Sequence, residues 1–108
     1  MKPTFFEITK LEEQREQAGP RYLEFLRLPA MSAGVYVLAA GSTDSQTPHK
    51  EDEMYYLVRG RACMRVGTED QAISAGSVIF VAANVEHHFH DITEELVVLV
   101  FFAPAESS

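Results

Sequence analysis

Seven consecutive residues near the end of the chain, Leu96-Val97-Val98-Leu99-Val100-Phe101-Phe102, are apolar without exception. A run this short is far from spanning a bilayer, and its β-branched and aromatic content suits a strand. Side chains on a strand alternate between faces, so Leu96, Val98, Val100 and Phe102 point one way and Val97, Leu99 and Phe101 the other. Both faces are apolar, and both must be covered. One cover is the interior of a β-barrel or sandwich. A second copy of the chain is the simplest cover for the other, with an N-terminal strand as the alternative.

The rest of the chain supplies that interior in short pieces. Residues 21–28, 34–41, 54–58, 62–66, 72–73, 77–81 and 87–92 read as further strands, separated by glycine, proline or charged residues. Arg59-Gly60-Arg61 reads as a tight turn that pairs 54–58 with 62–66, and Thr93-Glu94-Glu95 as another before the last strand. Eight or so short strands with regular punctuation indicate an all-β sandwich or barrel. Residues 10–18 are rich in helix formers and stop at Gly19-Pro20, which predicts a short surface helix. The 108 residues suit a single domain, 1–108, with its barrel core at about 21–103 and residues 104–108 as a frayed tail.

Charge and cysteine content exclude several classes of partner. A net charge of −7 leaves no Lys/Arg cluster to neutralise a nucleic-acid backbone and disfavours anionic membranes. Cys63 is the only cysteine, read as a small buried apolar residue, and it permits no intrachain disulfide. The N-terminus, Met1-Lys2-Pro3-Thr4-Phe5-Phe6-Glu7, lacks the apolar core of a secretory signal. A cytoplasmic protein is expected.

Chemistry concentrates in two places. In the first, His49 and Glu53 flank Lys50-Glu51-Asp52. On a helix they would share a face, with Thr47 as N-cap and Pro48 opening the first turn. On a straight strand they would stand about 13 Å apart, too far for one metal ion. The strand reading is preferred, because a helix would sit alone among strands and Tyr55-Tyr56-Leu57-Val58 favours extended backbone. It then requires a bend at residues 50–52. In the second place, His87-His88-Phe89-His90-Asp91, a strand sends His87, Phe89 and Asp91 to one face and His88 and His90 to the other. One set at most looks inward.

The order of these features resembles the cupin superfamily over roughly residues 35–102. Glu53, six residues and Gly60 match the end of the first cupin motif, with His49 at its second histidine. Gly76, Val78-Ile79-Phe80-Val81 and His87 match the second motif. Thr47 stands at the first-histidine position, Ala82 at the usual turn proline, and Asn84 at the usual glycine, where asparagine tolerates positive φ. The resemblance implies a jelly-roll barrel, or double-stranded β-helix, with a short N-terminal helix. It also implies one divalent metal ion, Fe, Zn, Mn, Ni or Cu, held by His49, Glu53 and His87, a donor set shared with non-heme iron oxygenases. Glu51 or the Gln46 amide could add an oxygen. Glu53, as ligand or general base, and Tyr55, on the same strand face, are the candidate catalytic residues; Tyr36, Phe80, Phe89 and Phe101 are assigned to the core. The expected function is a mononuclear metalloenzyme, dioxygenase-like or isomerase-like, acting on a small oxygenated or aromatic molecule. The alternative is a cupin that binds a ligand or metal without turnover, as sensor or auxiliary subunit. A homodimer is expected.

Overall fold

A computed structural model describes residues 4–107. Met1-Lys2-Pro3 and Ser108, on which the readings of the N-terminus and tail partly fall, lie outside the described residues. The elements are a helix, α1 (Ile8–Ala18), followed by six strands: β1 (Tyr22–Leu28), β2 (Met31–Leu38), β3 (Asp52–Val66), β4 (Glu69–Ser74), β5 (Val78–Val81) and β6 (His87–Ala103). All ladders are antiparallel, in the order β1-β2-β6-β3-β4, with β5 paired to the first part of β3. The all-β jelly roll with one short helix is the architecture expected.

Every expected strand segment is present, but two expected turns are not turns. Residues 54–58 and 62–66 belong to one strand, β3, and residues 87–92 and 96–102 to another, β6. These long strands pair with each other along their length, so 62–66 lies against β4 and the start of β6 rather than against 54–58. The cause is a change of phase inside each strand. In β3 the inward residues are Glu53, Tyr55 and Leu57, then Ala62 and Met64; in β6 they are His87 and Phe89, then Ile92, Leu96 and Val98. An extra residue shifts the alternation from odd to even, the signature of a β-bulge, which bends a strand without ending it. The ladder slips register around Arg59 and Arg61, with Gly60 at φ 111°. A Cβ on Gly60 would run into the Glu95 backbone carbonyl, so no other residue fits there. In β6, Asp91 takes φ 48° where the register slips again between Arg61 and Cys63.

The main core fills the rolled sheet with Leu38, Tyr55, Leu57, Met64, Phe89 and the even-numbered face of residues 96–102. The odd-numbered face is covered from within the chain. Val97 packs with Leu11 of α1 and Val35 of β2, while Phe6, Ile8 and Phe25 close round them. At Val97 and Leu99 the cover comes from α1 together with the N-terminal strand β1, through Phe25, and with β2, while Phe101 at the far end of that face stays half-buried. Arg59 pins α1 to the sheet through both carboxylate oxygens of Glu12, at 2.6 and 3.0 Å. The helix begins two residues before the sequence reading and ends, as read, at Ala18, with Gly19 in the left-handed conformation.

Four residue assignments change. Phe80 was assigned to the core but is 56 % exposed on the outer face of β5, and Phe101 is half-buried outside both core clusters. Tyr36 is partly buried and lines the cavity described below, and Cys63 is half-buried. Phe89 is core as expected. No helix among the described residues is long and apolar enough to cross a membrane.

Candidate metal centre

The chain enters β3 through a bend at Lys50 and Glu51, within the segment where the sequence requires one. Two contacts fix the approach. The carbonyl of His49 accepts the Asn84 amide at 2.6 Å, and Asp52 Oδ1 accepts the Ala83 amide at 2.9 Å. Asn84 adopts φ 68°, the conformation for which asparagine substitutes for glycine. These contacts tie the loop that carries His49 to the turn that leads into His87.

The three expected ligands meet. Glu53 Oε1 lies 3.1 Å from His87 Nε2 and 3.9 Å from His49 Nε2. One donor atom from each residue falls within 4.8 Å of the other two, and the two imidazole centroids are 5.3 Å apart. Glu53 is 2 % exposed and His87 3 %. His87 faces inward because it opens β6 on the odd phase; His88 and His90 face outward, as alternation demands.

The strongest sign of a ligand comes from what these atoms lack. Glu53 Oε1 and His87 Nε2 are buried and make no hydrogen bond, since their close approach is misaligned for one. Buried polar atoms without partners are rare and costly. A cation between them would satisfy both, and the donor set fits a first-row divalent metal. Nδ1 of His87 sits 2.9 Å from the Val85 carbonyl, an acceptor that holds the proton on Nδ1 and leaves Nε2 free to ligate. Burial works to lower the His87 pKa, but the Glu53 carboxylate and the Val85 carbonyl outweigh it and leave the pKa raised.

A cavity of about 200 Å³ opens in front of His49 and Glu53. Val100 and Phe102 give it an apolar floor; Tyr22, Tyr36, Tyr55, Gln46 and Glu106 supply polar groups. Tyr55 shares the inward face of β3 with Glu53, as expected, and its hydroxyl donates to Gln46 Oε1 at 3.1 Å. Burial, then Glu53, pushes its phenol well above the ordinary value. Tyr22 reaches the cavity because Gly34 on the neighbouring strand leaves room for its ring; any Cβ at Gly34 would occupy that space.

Of the two suggested extra oxygens, Gln46 is at the site and Glu51 is not. Gln46 Oε1 is 3.3 Å from His49 Nε2, whereas Glu51 Oε2 is turned away to Ser107. Thr47 is exposed and contributes nothing. Three contributors were not foreseen. Asp44 is buried and joins Tyr36, Gln46 and the Phe89 amide through bonds of 2.7 to 2.9 Å, although a polar loop offers no sign of it in sequence. Tyr22 looked like an ordinary strand residue. Glu106 lies in the expected frayed tail, which instead folds back on the site, its carboxylate raised by burial and opposed by His49.

A second group among the described residues, Cys63, His90 and Asp91, also brings donor atoms together. It lies on the outer surface, and His90 is already paired with Asp70 at 2.8 Å and Asp91 at 3.2 Å. Its polar atoms are satisfied as an ion-pair cluster.

Comparison with known proteins agrees with the fold. The family model described as Cupin domain matches residues 34–102. The Streptomyces coelicolor protein SCO3923 is 50 % identical over 102 residues, covering 94 % of this chain and 97 % of that protein. Among solved structures, TT1209 from Thermus thermophilus superposes with a TM-score of 0.76 at 20 % identity, over 95 % of this chain and 99 % of its own. An RmlC-like cupin from Shewanella frigidimarina gives 0.69 at 19 % identity, over 78 % and 75 %. At these identities the structural matches speak to fold alone.

Proposed function

The chain belongs to the cupin family, and from that premise we propose that it is a metal-dependent cupin. In this reading it is a mononuclear metalloenzyme acting, by oxidation or isomerisation, on a small oxygenated or aromatic molecule in the barrel cavity. The observation that carries it is the pair of buried atoms Glu53 Oε1 and His87 Nε2, 3.1 Å apart without an aligned hydrogen bond and within 4.8 Å of a His49 nitrogen. A divalent ion there, Fe, Zn, Mn, Ni or Cu, would supply Lewis-acid polarisation of a substrate oxygen or, if redox-active, oxygen chemistry.

The chain's own groups have separable tasks. His49 and His87 offer imidazole nitrogens and Glu53 a carboxylate oxygen. Tyr55, its phenol held protonated by burial and by Glu53, acts as a hydrogen-bond donor at the cavity wall rather than as a base. Val100 and Phe102 exclude water from one side. None of the described residues lining the cavity is Lys or Arg, which favours a neutral ligand that exchanges hydrogen bonds with tyrosines over a phosphate ester.

Elemental analysis of protein purified without added metal tests the reading. About one metal per chain is expected, lost in His49→Ala and His87→Ala with the circular dichroism spectrum unchanged. Oxygen uptake across diketones, catechols and aminothiols would then separate oxygenase from isomerase. The exposed side chain of Thr47, with a neutral amide from Gln46 beside His49 instead of a further imidazole, favours a second reading: capture of a ligand without turnover. Metal-free protein that takes up none on reconstitution would select it. With one cysteine, half-buried Cys63, and a charge of −7, we place the protein in the cytoplasm, with neither nucleic acid nor membrane as partner.

A further inference from the structure

The C-terminal segment is held over the mouth of the barrel by its backbone. The Glu106 amide donates to Ser32 Oγ at 2.9 Å, and its carbonyl accepts from Arg27 Nη2 at 2.6 Å. The amide and hydroxyl of Ser107 both donate to Oε2 of buried Glu51, at 3.1 and 2.7 Å. So fixed, Glu106 turns its carboxylate into the cavity, and Oε2 lies 3.3 Å from Nδ1 of His49.

His49 therefore has an acceptor beside each ring nitrogen. Gln46 Oε1 stands 3.3 Å from Nε2, the nitrogen that faces Glu53, and Glu106 stands by Nδ1. A neutral imidazole carries one N–H, so only one of the two can be served. A proton on Nε2 would go to Gln46 and block the nitrogen that points into the site. A proton on Nδ1 would go to Glu106 and leave the Nε2 lone pair free, which is how His87 is already arranged. The Glu106 contact is a 3.3 Å ion-pair approach rather than an aligned hydrogen bond, so its advantage over the neutral amide is its negative charge, which favours a proton on the adjacent Nδ1. Gln46 Oε1, moreover, is already accepting the Tyr55 hydroxyl, and its amide is locked in orientation by Asp44 at 2.8 Å.

We infer that Glu106 is a positioning residue: it accepts the Nδ1–H of His49 and so holds that imidazole in the tautomer able to ligate a cation together with Glu53 and His87. The inference rests on the metal reading above. It makes the tail part of the site, a carboxylate behind a ligand histidine, and such outer-shell partners typically govern metal affinity by about 10–100-fold.

Full-length Glu106→Ala and Glu106→Gln test it by two independent readouts. Long-range ¹H–¹⁵N correlation of the imidazole rings in metal-free protein, at a pH where His49 is neutral, reports the tautomer directly. Wild type should carry the His49 proton on Nδ1; E106A should move it to Nε2; E106Q, which keeps an acceptor but loses the charge, should show both tautomers. Zn²⁺ competition against a chromophoric chelator should show about 10–100-fold weaker binding in E106A and a smaller loss in E106Q. A wild-type proton on Nε2, or an E106A variant that binds Zn²⁺ as wild type does, overturns the role of Glu106 and leaves the metal reading intact. Wild type that binds no Zn²⁺ overturns the metal reading instead, while the tautomer spectra still decide what Glu106 does.

Discussion

At the scale of single residues, the site is a set of ionisable groups close enough to set one another's protonation. In the metal-free protein His87 has a raised pKa, because Glu53 and the Val85 carbonyl prevail over burial. A group whose pKa is higher folded than unfolded stabilises the fold fully below its unfolded value, about 6.5 for imidazole, and loses that contribution as pH rises through the folded value. The melting temperature of chelator-treated protein should therefore fall as pH is raised from about 6 through the neutral range, and His87→Gln should flatten the fall. His90 shifts in the same direction beside Asp70, so a slope that survives in His87→Gln but vanishes in His90→Asn would assign the effect to the surface cluster. With metal the trend should reverse, since ligation needs neutral imidazole. Tyr55→Phe isolates a different role. It deletes one buried hydrogen bond, to Gln46, and should cost about 1 kcal/mol in stability. Under the enzyme reading it should reduce turnover while leaving Zn²⁺ affinity unchanged; an equal loss of affinity would make Tyr55 part of the ligand framework.

Elements carry the next set of consequences, and bends matter more than lengths. β3 and β6 hold the two halves of the barrel together because each passes through a bulge without stopping. Gly60→Ala must adopt φ 111° and meet the Glu95 carbonyl, two penalties that together come to about 2–4 kcal/mol. Urea denaturation should show this loss, and a variant as stable as wild type would mean that the strand does not need its kink. The helix is the other element with a measurable task. Leu11 is its buried residue, packed on Val97 and Val35, so Leu11→Ala should cost about 2–4 kcal/mol by opening a cavity beneath α1. The exposed Arg59–Glu12 pair should contribute under about 1 kcal/mol, so its removal is the matched control.

For the whole molecule, the remaining question is what lies against its outer surface. Met54, Tyr56, Val78 and Phe80 are exposed large apolar residues, paired across β3 and β5 as Met54 with Phe80 and Tyr56 with Val78. The homodimer expected from the double-faced last strand does not depend on Val97 and Leu99, which α1, β1 and β2 cover, and this neighbouring face is open to it. We propose that a second copy covers it. Light scattering should then give twice the chain mass for wild type and a single chain mass for Phe80→Asp; a monomeric wild type would sink the proposal.

Much of this molecule was legible in its residues alone. Alternation is local, so all eight strand segments, the helix, the turn asparagine at Asn84, the shared face of His87 and Phe89, and the need for a bend before Glu53 could be read from the chain, whereas which face looks inward could not be read from alternation. A bulge and a turn, however, leave the same mark in sequence, a glycine or charged residue where the apolar phase changes, and only the ladder between β3 and β6 tells them apart. The rest was decided by contacts between residues far apart in the chain. Glu106 next to His49, Asp44 under Phe89 and Leu11 over Val97 lie at separations that no periodicity encodes. Donor types are written in the sequence because their chemistry belongs to the side chain; which acceptor stands beside each imidazole is fixed only when the closed barrel brings distant residues together.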